Sequence, residues 1–424
     1  MLMRNDLFKN QNTSFSSLVC IYITVSIFLM GSVALVIPTG YSVGPMLLLL
    51  ASICLVFLKP SFQLSRQDYW VIGALSTYAL VVGGMSVLED GARGADRPLR
   101  FLLAIPVMLL IIRFPPRLGA IWGGLAVGTC LAGGWSIWQK IIEGVGRAEG
   151  YTHVIQFGNL SMLMGVMCFA GVGWALMRPH YRVAWCALLV VGGTMGMFGS
   201  LLSGSRGGWI GLPIVAFILY KGYGKKLSIA LKVLVIGSVM AAGLAVYAIP
   251  QTGVQGRFHE AFNDLSHYFS DENRDTSLGL RFEMWRGASQ LILERPLLGW
   301  GDSGYREAMS ELGEQGQITY QASQFGHAHN EYIDAFAKRG ILGVAALLVL
   351  YLIPLRLFAS GLKHSDLEVR SLAMAGTLLV VGYIDFGLSQ TFLAHNSGVM
   401  FYPFWLSVIW GCYSLLIKRD LRQD

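Results

Sequence analysis

Residues 18–36 read LVCIYITVSIFLMGSVALV, without a single charge. A helix rising 1.5 Å per residue needs about 20 such residues to cross the ~30 Å hydrocarbon core of a bilayer. The run is too long for the apolar segment of a cleavable leader, so it reads as a first membrane span. The texture recurs to the end of the chain. Of 424 residues, 54% are hydrophobic and 13% charged, too apolar a balance for an ordinary soluble domain. The expected fold is an all-α polytopic membrane protein forming one membrane domain over residues 1–424. Fifty-one glycines fit it, since small residues let spanning helices approach closely. The cysteines (Cys20, Cys54, Cys130, Cys168, Cys186 and Cys412) all fall in apolar runs and read as small buried hydrophobes.

About twelve spans are expected: 18–37, 43–58, 69–88, 98–112, 118–138, 157–177, 183–202, 207–220, 227–249, 340–357, 371–388 and 397–417. The fourth and eighth are short, which calls for tilting or local thinning of the bilayer. With the N-terminus inside, the inner loops collect Arg4, Lys9, Lys59, Arg66, Arg113, Arg117, Arg178, Arg182, Lys221, Lys225, Lys226 and Arg356. This is the positive-inside pattern. Both termini are then cytoplasmic, and the formal charge of +7 is mostly a topology signal, so no nucleic-acid partner is expected.

Outward basic residues run against that rule. The hairpin 89–100 carries Arg93, Arg97 and Arg100 among Glu89, Asp90 and Asp96, and the turn 203–207 carries Arg206. Residues 250–339 are too long for a simple connection and read as a mostly helical cap between the ninth and tenth spans. With thirteen acidic and eight basic residues the segment is acidic overall, so any arginine that binds an anion there is a positioned group. Helical spacing predicts helices over 256–269 and 277–294, and a short one over 305–312 capped by Ser303.

The junction His327–Gly343, HAHNEYIDAFAKRGILG, joins this segment to the tenth span. If 330–338 is helical, Tyr332, Ile333 and Phe336 share one face and Glu331, Asp334 and Lys338 another, the pattern of a helix at the outer interface. Three readings of His329 stay open: a general base for a hydroxyl, an interfacial histidine satisfied by a carbonyl, or a ligand in a weak metal set with His327 and Glu331. Arg206 sits in Gly204-Ser205-Arg206-Gly207-Gly208-Trp209, where glycines let backbone amides approach an anion and the guanidinium matches phosphate. The alternative is an arginine snorkelling to headgroups. Arg281 has no obvious helical partner, whereas Arg286 has Glu283 three residues away. Asp385 lies near the outer end of the eleventh span, where an intramembrane carboxylate is either functional or a buried structural hydrogen bond. Gln156 and Asn159 are weaker candidates of that kind. No phosphate-binding loop, nucleophile elbow, zinc-protease or dinucleotide motif is present, so an activated donor such as a lipid pyrophosphate is expected to supply the leaving group.

His329-Asn330, nine residues, then Gly340-Ile341-Leu342-Gly343 resembles the H-[NSQ]-x9-G-x-x-[GTY] motif of bacterial O-antigen ligases. Ser205-Arg206-Gly207-Gly208 resembles the outer-loop arginine motif of the wider ligase/polymerase superfamily. Arg281-x3-Trp285-x2-Ala288 followed by Pro296-x2-Gly299-x-Gly301 is similar to its large-loop segment. The twelve-span layout extends the resemblance over essentially the whole chain. It implies an inverting, metal-independent and cofactor-independent glycosyltransferase of the GT-C type in the bacterial inner membrane. Such an enzyme transfers glycan from undecaprenyl pyrophosphate to a hydroxyl of lipid A–core oligosaccharide at the periplasmic face, with membrane lipids around it. By this resemblance Arg206 and Arg281 hold the pyrophosphate and His329 is the base or positions the acceptor. Arg286, Asn330, Asp385, Arg93 and Arg97 are the substrate-binding candidates, although the 89–100 hairpin matches no motif and only its placement suggests contact with lipid A phosphates. Competing readings are an O-antigen polymerase, a protein O-oligosaccharyltransferase, and a transporter of lipid-linked sugars.

Overall fold

The computed structural model describes residues 13–205, 207–224, 229, 244, 247–248, 254–270 and 272–420. Every regular element among them is helical. The chain opens with α1 (Thr13–Ser32), α2 (Gly40–Ser52), its short continuation α3 (Cys54–Leu58), α4 (Arg66–Asp90) and α5 (Asp96–Arg113). It continues through α6 (Gly119–Ile141), α7 (Val154–Leu176), α8 (Arg182–Ser203) and α9 (Leu212–Tyr223). Four helices follow: α10 (Val254–Phe269), α11 (Ser277–Glu294), α12 (Gly301–Glu314) and α13 (Tyr320–Ser323). The chain ends with α14 (Glu331–Ser360), α15 (Leu367–Gly387) and α16 (Asn396–Asp420).

Among the described residues, nine helices are long and apolar enough to cross a membrane. The chain is an all-α polytopic membrane protein. Leu18, Phe57, Val183 and Ile214 stand exposed on outer helix faces, the arrangement expected where lipid rather than water is the solvent. The expected fourth and eighth spans are α5, which carries Asp96, Arg97, Arg100 and Arg113, and α9, only 12 residues long. The expected ninth span, 227–249, lies outside the described residues apart from isolated positions.

Helices α7, α15 and α16 are the most deeply enclosed. Close approach explains it for α7. A Cβ on Gly165 would stand 2.8 Å from the Gly193 carbonyl oxygen, and one on Gly196 would stand 2.7 Å from the Gly165 Cα, so α7 and α8 pack backbone to backbone. Helices α11, α12 and α14 share a small separate core of Ala288, Leu291, Tyr305, Met309, Leu312 and Ala337.

The 277–294 helix has the bounds its periodicity predicts, capped by the Thr276 hydroxyl accepting from the Gly279 amide. The next one differs. It starts at Gly301 rather than Tyr305, and Ser303 caps nothing because it lies inside the first turn. Gly299 and Gly301 both have φ of +72°, a conformation open to glycine, and they turn the chain early enough to start the helix there. A Glu89 carboxylate on α4 then accepts from the Asp302 amide at 2.8 Å.

Helix α14 breaks at Gly340, with φ 58° and ψ −159°. The strand of chain before α12 fills the break: the Ile341 amide donates to Pro296 and the Trp300 amide to Ala337, at 2.9 and 3.0 Å. A Cβ on Gly340 would stand 2.2 Å from the Leu297 carbonyl oxygen.

The charged face of 331–338 is not at an interface. Glu331, Asp334 and Lys338 are all buried. Lys338 Nζ reaches Asp302 at 2.9 Å and Asp334 at 3.2 Å, and donates to the Gly326 carbonyl at 2.8 Å. Arg339 reaches Asp302 at 2.8 Å. Helical periodicity reports which residues share a face, but not which face turns inward. Here the polar face is the inner one, because the α12 carboxylate is there to meet it.

Candidate active site

His329 stands just before α14, and its neighbours hold it there. The Asn330 side chain caps the helix, accepting from the Tyr332 and Ile333 amides at 3.0 and 3.1 Å. Its amide donates to the Leu388 carbonyl, 3.1 Å away at the end of α15. Asn330 is thereby committed to fixing its neighbour. Ala328 accepts from the Trp285 indole at 2.8 Å and donates its own amide to Asp334 at 2.9 Å. His329 between them is held at φ 47°, a left-handed conformation that a side-chain-bearing residue adopts only under constraint.

Its ring lies edge-on to Phe325, with centroids 5.6 Å apart, and takes a hydrogen bond with Gln390. Nδ1 is buried and finds no hydrogen-bond partner among the described residues. Burial chiefly, then the charges of His327 and Arg281, lower the imidazole pKa to about 3. His329 is therefore neutral through the physiological range and keeps a lone pair.

Arg281 faces the same cavity, of about 490 Å³, which His329 lines together with Arg147, Ser205, Gly207, Phe325 and Ser389. Trp285 lies one turn after Arg281 on α11, so the indole that pins Ala328 also sets the height of the guanidinium beside His329. Arg206 itself lies outside the described residues. The turn around it is firmly stapled. Ser205 donates to Asn159 of α7 at 3.0 Å, the Gly211 amide donates to the Asp385 carboxylate, and a Cβ on Gly207 would collide with the Ser389 hydroxyl at 2.2 Å. Asp385 is thus a support for the arginine turn and does not line the cavity. Arg286 does not line it either: it is half exposed and lies 3.8 Å from Glu283.

Arg147 is a residue that sequence reasoning missed. Its Nε donates to the Ser203 carbonyl at 2.8 Å, which brings a second described guanidinium to the cavity. As an outward arginine in the loop between the fifth and sixth expected spans, it carried the same signal that singled out Arg206.

Three further histidines lie close by. The His327 ring is 4.3 Å from that of His329, His395 is 6.4 Å from His327, and His153 is 6.4 Å from His395. His395 is lowered to about 4, by burial and then by His327 and His153. Glu331 turns away from His329 and accepts from the Leu393 amide at 2.9 Å. The His327–His329–Glu331 ligand set therefore does not converge, and no group of metal-ligand residues assembles among the described residues.

Glu331 lines a second cavity, of about 450 Å³, with Leu393, Ala394, Arg93 and Arg97. His329 and Glu331, two residues apart, thus face different cavities. Ser389 and Leu393 divide between them in the same way. The segments 329–331 and 389–394 form the wall.

Fold and site together define a membrane-embedded protein with an arginine-lined, histidine-bearing cavity near one end of its helices. Residues 191–348, which carry Arg206, Arg281, Arg286, His329 and Asn330, match the family model described as O-antigen ligase. The chain is 31% identical over 386 residues to an uncharacterized protein of Haemophilus influenzae, covering 90% of this chain and 95% of that one. It is 26% identical over 264 residues to an O-antigen ligase of Escherichia coli K12, spanning 60% of this chain and 56% of the Escherichia coli protein. The chain belongs to the O-antigen ligase/polymerase superfamily.

Proposed function

We propose that this chain is an O-antigen ligase: an inverting, metal-independent glycosyltransferase of the GT-C type that moves a glycan from undecaprenyl pyrophosphate to a hydroxyl of lipid A–core oligosaccharide. One observation carries the proposal. A neutral histidine, whose buried Nδ1 has no partner among the described residues, shares a cavity with Arg281 and the stapled turn that bears Arg206. The distribution of lysine and arginine supports a bacterial inner-membrane protein with both termini cytoplasmic and residues 250–339 forming a periplasmic cap.

In this mechanism the pyrophosphate lies against Arg281, Arg147 and Arg206, whose guanidinium forks match its oxygens and neutralise the charge that grows as the bond to the sugar breaks. His329 removes the proton from the acceptor hydroxyl. The freed oxygen attacks the anomeric carbon from the face opposite the pyrophosphate, one carbon–oxygen bond forms as the other breaks, and undecaprenyl pyrophosphate departs. A bound dianion beside His329 offsets the nearby arginine charge, raising the imidazole pKa from its resting value just when a base is needed.

The test is transfer by the purified protein in a bilayer, supplied with lipid-linked glycan with and without lipid A–core. Glycan on the core is expected. A lengthened lipid-linked chain formed without core would assign a polymerase instead.

A further inference from the structure

The second cavity contains more charge than a structural void needs, and most of it is already paired. Lys338 and Arg339 are committed to Asp302 and Asp334. The charges of Arg339 and Lys338 outweigh the burial that would raise Asp302 and hold it at about 2, so that carboxylate stays ionised. Asp96 pairs with Arg100 at 2.7 Å, and Glu331 accepts the Leu393 amide. Arg93 and Arg97 remain. Both line the cavity, both are exposed, and neither makes an ion pair among the described residues.

We infer that this cavity binds the phosphate-bearing saccharide of the acceptor, with Arg93 and Arg97 holding its phosphate; the inference rests on the ligase reading above. Its volume of about 450 Å³ falls within the roughly 300–1,000 Å³ of small-molecule sites. Tyr78, Ser86 and Glu331 supply hydrogen-bonding groups for sugar hydroxyls, and Pro98 and Phe101 supply apolar surface. Two guanidinia four residues apart at the mouth present forked donors suited to phosphate. An arginine that merely snorkels to headgroups would lie along a helix face, whereas these line a concave polar site. The donor pyrophosphate has its own arginines across the 329–331 wall. Holding the acceptor by a phosphate remote from the reacting hydroxyl uses distant binding energy to position the nucleophile.

The experiment compares core acceptor with and without its phosphates, in nanodiscs of neutral lipid and in nanodiscs containing anionic phospholipid. Both KM for transfer and direct binding without donor are measured. The unaltered protein is expected to prefer the phosphorylated acceptor. R93E/R97E should lose that preference, by about tenfold per arginine, in either lipid. R93K/R97K, which keeps the charge but not the fork, should keep part of it. An equal loss for both acceptors, a loss confined to anionic nanodiscs, or no change would overturn the inference. If the unaltered protein transfers nothing to core, the ligase reading fails. The binding arm still reports whether the cavity takes a phosphorylated saccharide through these arginines.

Discussion

The two ends of the stretch His327–Gly343 are built on opposite principles. At its C-terminal end Lys338 and Arg339 are buried or nearly so, and their charged groups meet Asp302 and Asp334 within 3.2 Å. At its N-terminal end His329 is strained at φ 47° and has a buried nitrogen with no partner among the described residues. The first arrangement fixes the 301–314 helix to the top of α14. The second leaves a histidine nitrogen facing a cavity that Arg281 also lines. One motif thus contains a clamp and the histidine that we propose as the base, with Asn330 joining them.

That contrast can be broken from either side. Lys338→Ala leaves Asp334 and Asp302 facing each other without their shared cation. Removing one partner of a buried pair costs about 3–5 kcal/mol, so thermal unfolding in detergent should fall sharply. Arg281→Ala should do the reverse, leaving the melting temperature nearly unchanged while transfer falls about 10²–10³-fold, the cost of losing one donor to developing charge. Arg286→Ala, a turn away and half exposed, should have a far smaller effect on rate, and the pair of variants measures how local the requirement is.

Gly340→Ala is expected to cost about 1–3 kcal/mol, from the positive φ and the collision with Leu297. Circular dichroism melts would show it without any assay of activity. The smallest effect concerns pH. His329 is lowered to about 3 by burial first and then by His327 and Arg281, so it is deprotonated above that value. The profile of kcat/KM, which reports the free enzyme, should show no acid limb from this group between about pH 5 and 8. Removing the Arg281 charge raises the pKa, so Arg281→Ala should move the limb toward neutrality. An unaltered enzyme with a limb near 6.5 would contradict the buried setting.

Much of this was legible in the residues. The 277–294 helix announces itself by its apolar spacing and by Pro296 just beyond its end. The family resemblance pairs Arg281 with His329 from a distant part of the sequence, and the two line one cavity. What was not legible depends on which surfaces meet. Spacing could not tell that Glu331, Asp334 and Lys338 face inward, since that depends on Asp302 arriving from α12. Asp385 and Asn159 could be read as functional groups or as buried structural hydrogen bonds, because polar residues in a membrane are costly. Contact with the 203–211 turn is what makes them supports. Arg147 was overlooked although its loop carries Gly144, Gly146 and Gly150 and its outward charge was visible; what brings it to the cavity is the Ser203 carbonyl on a distant segment, which spacing does not report.

We propose His329 as the base and Arg281 as its partner at the pyrophosphate. The most direct measurement is His329→Ala in the reconstituted transfer assay, with donor binding followed in parallel. Transfer is expected to fall by about 10²–10⁴-fold while donor affinity and melting temperature stay close to those of the unaltered protein. Undiminished transfer by a folded His329→Ala protein would contradict it.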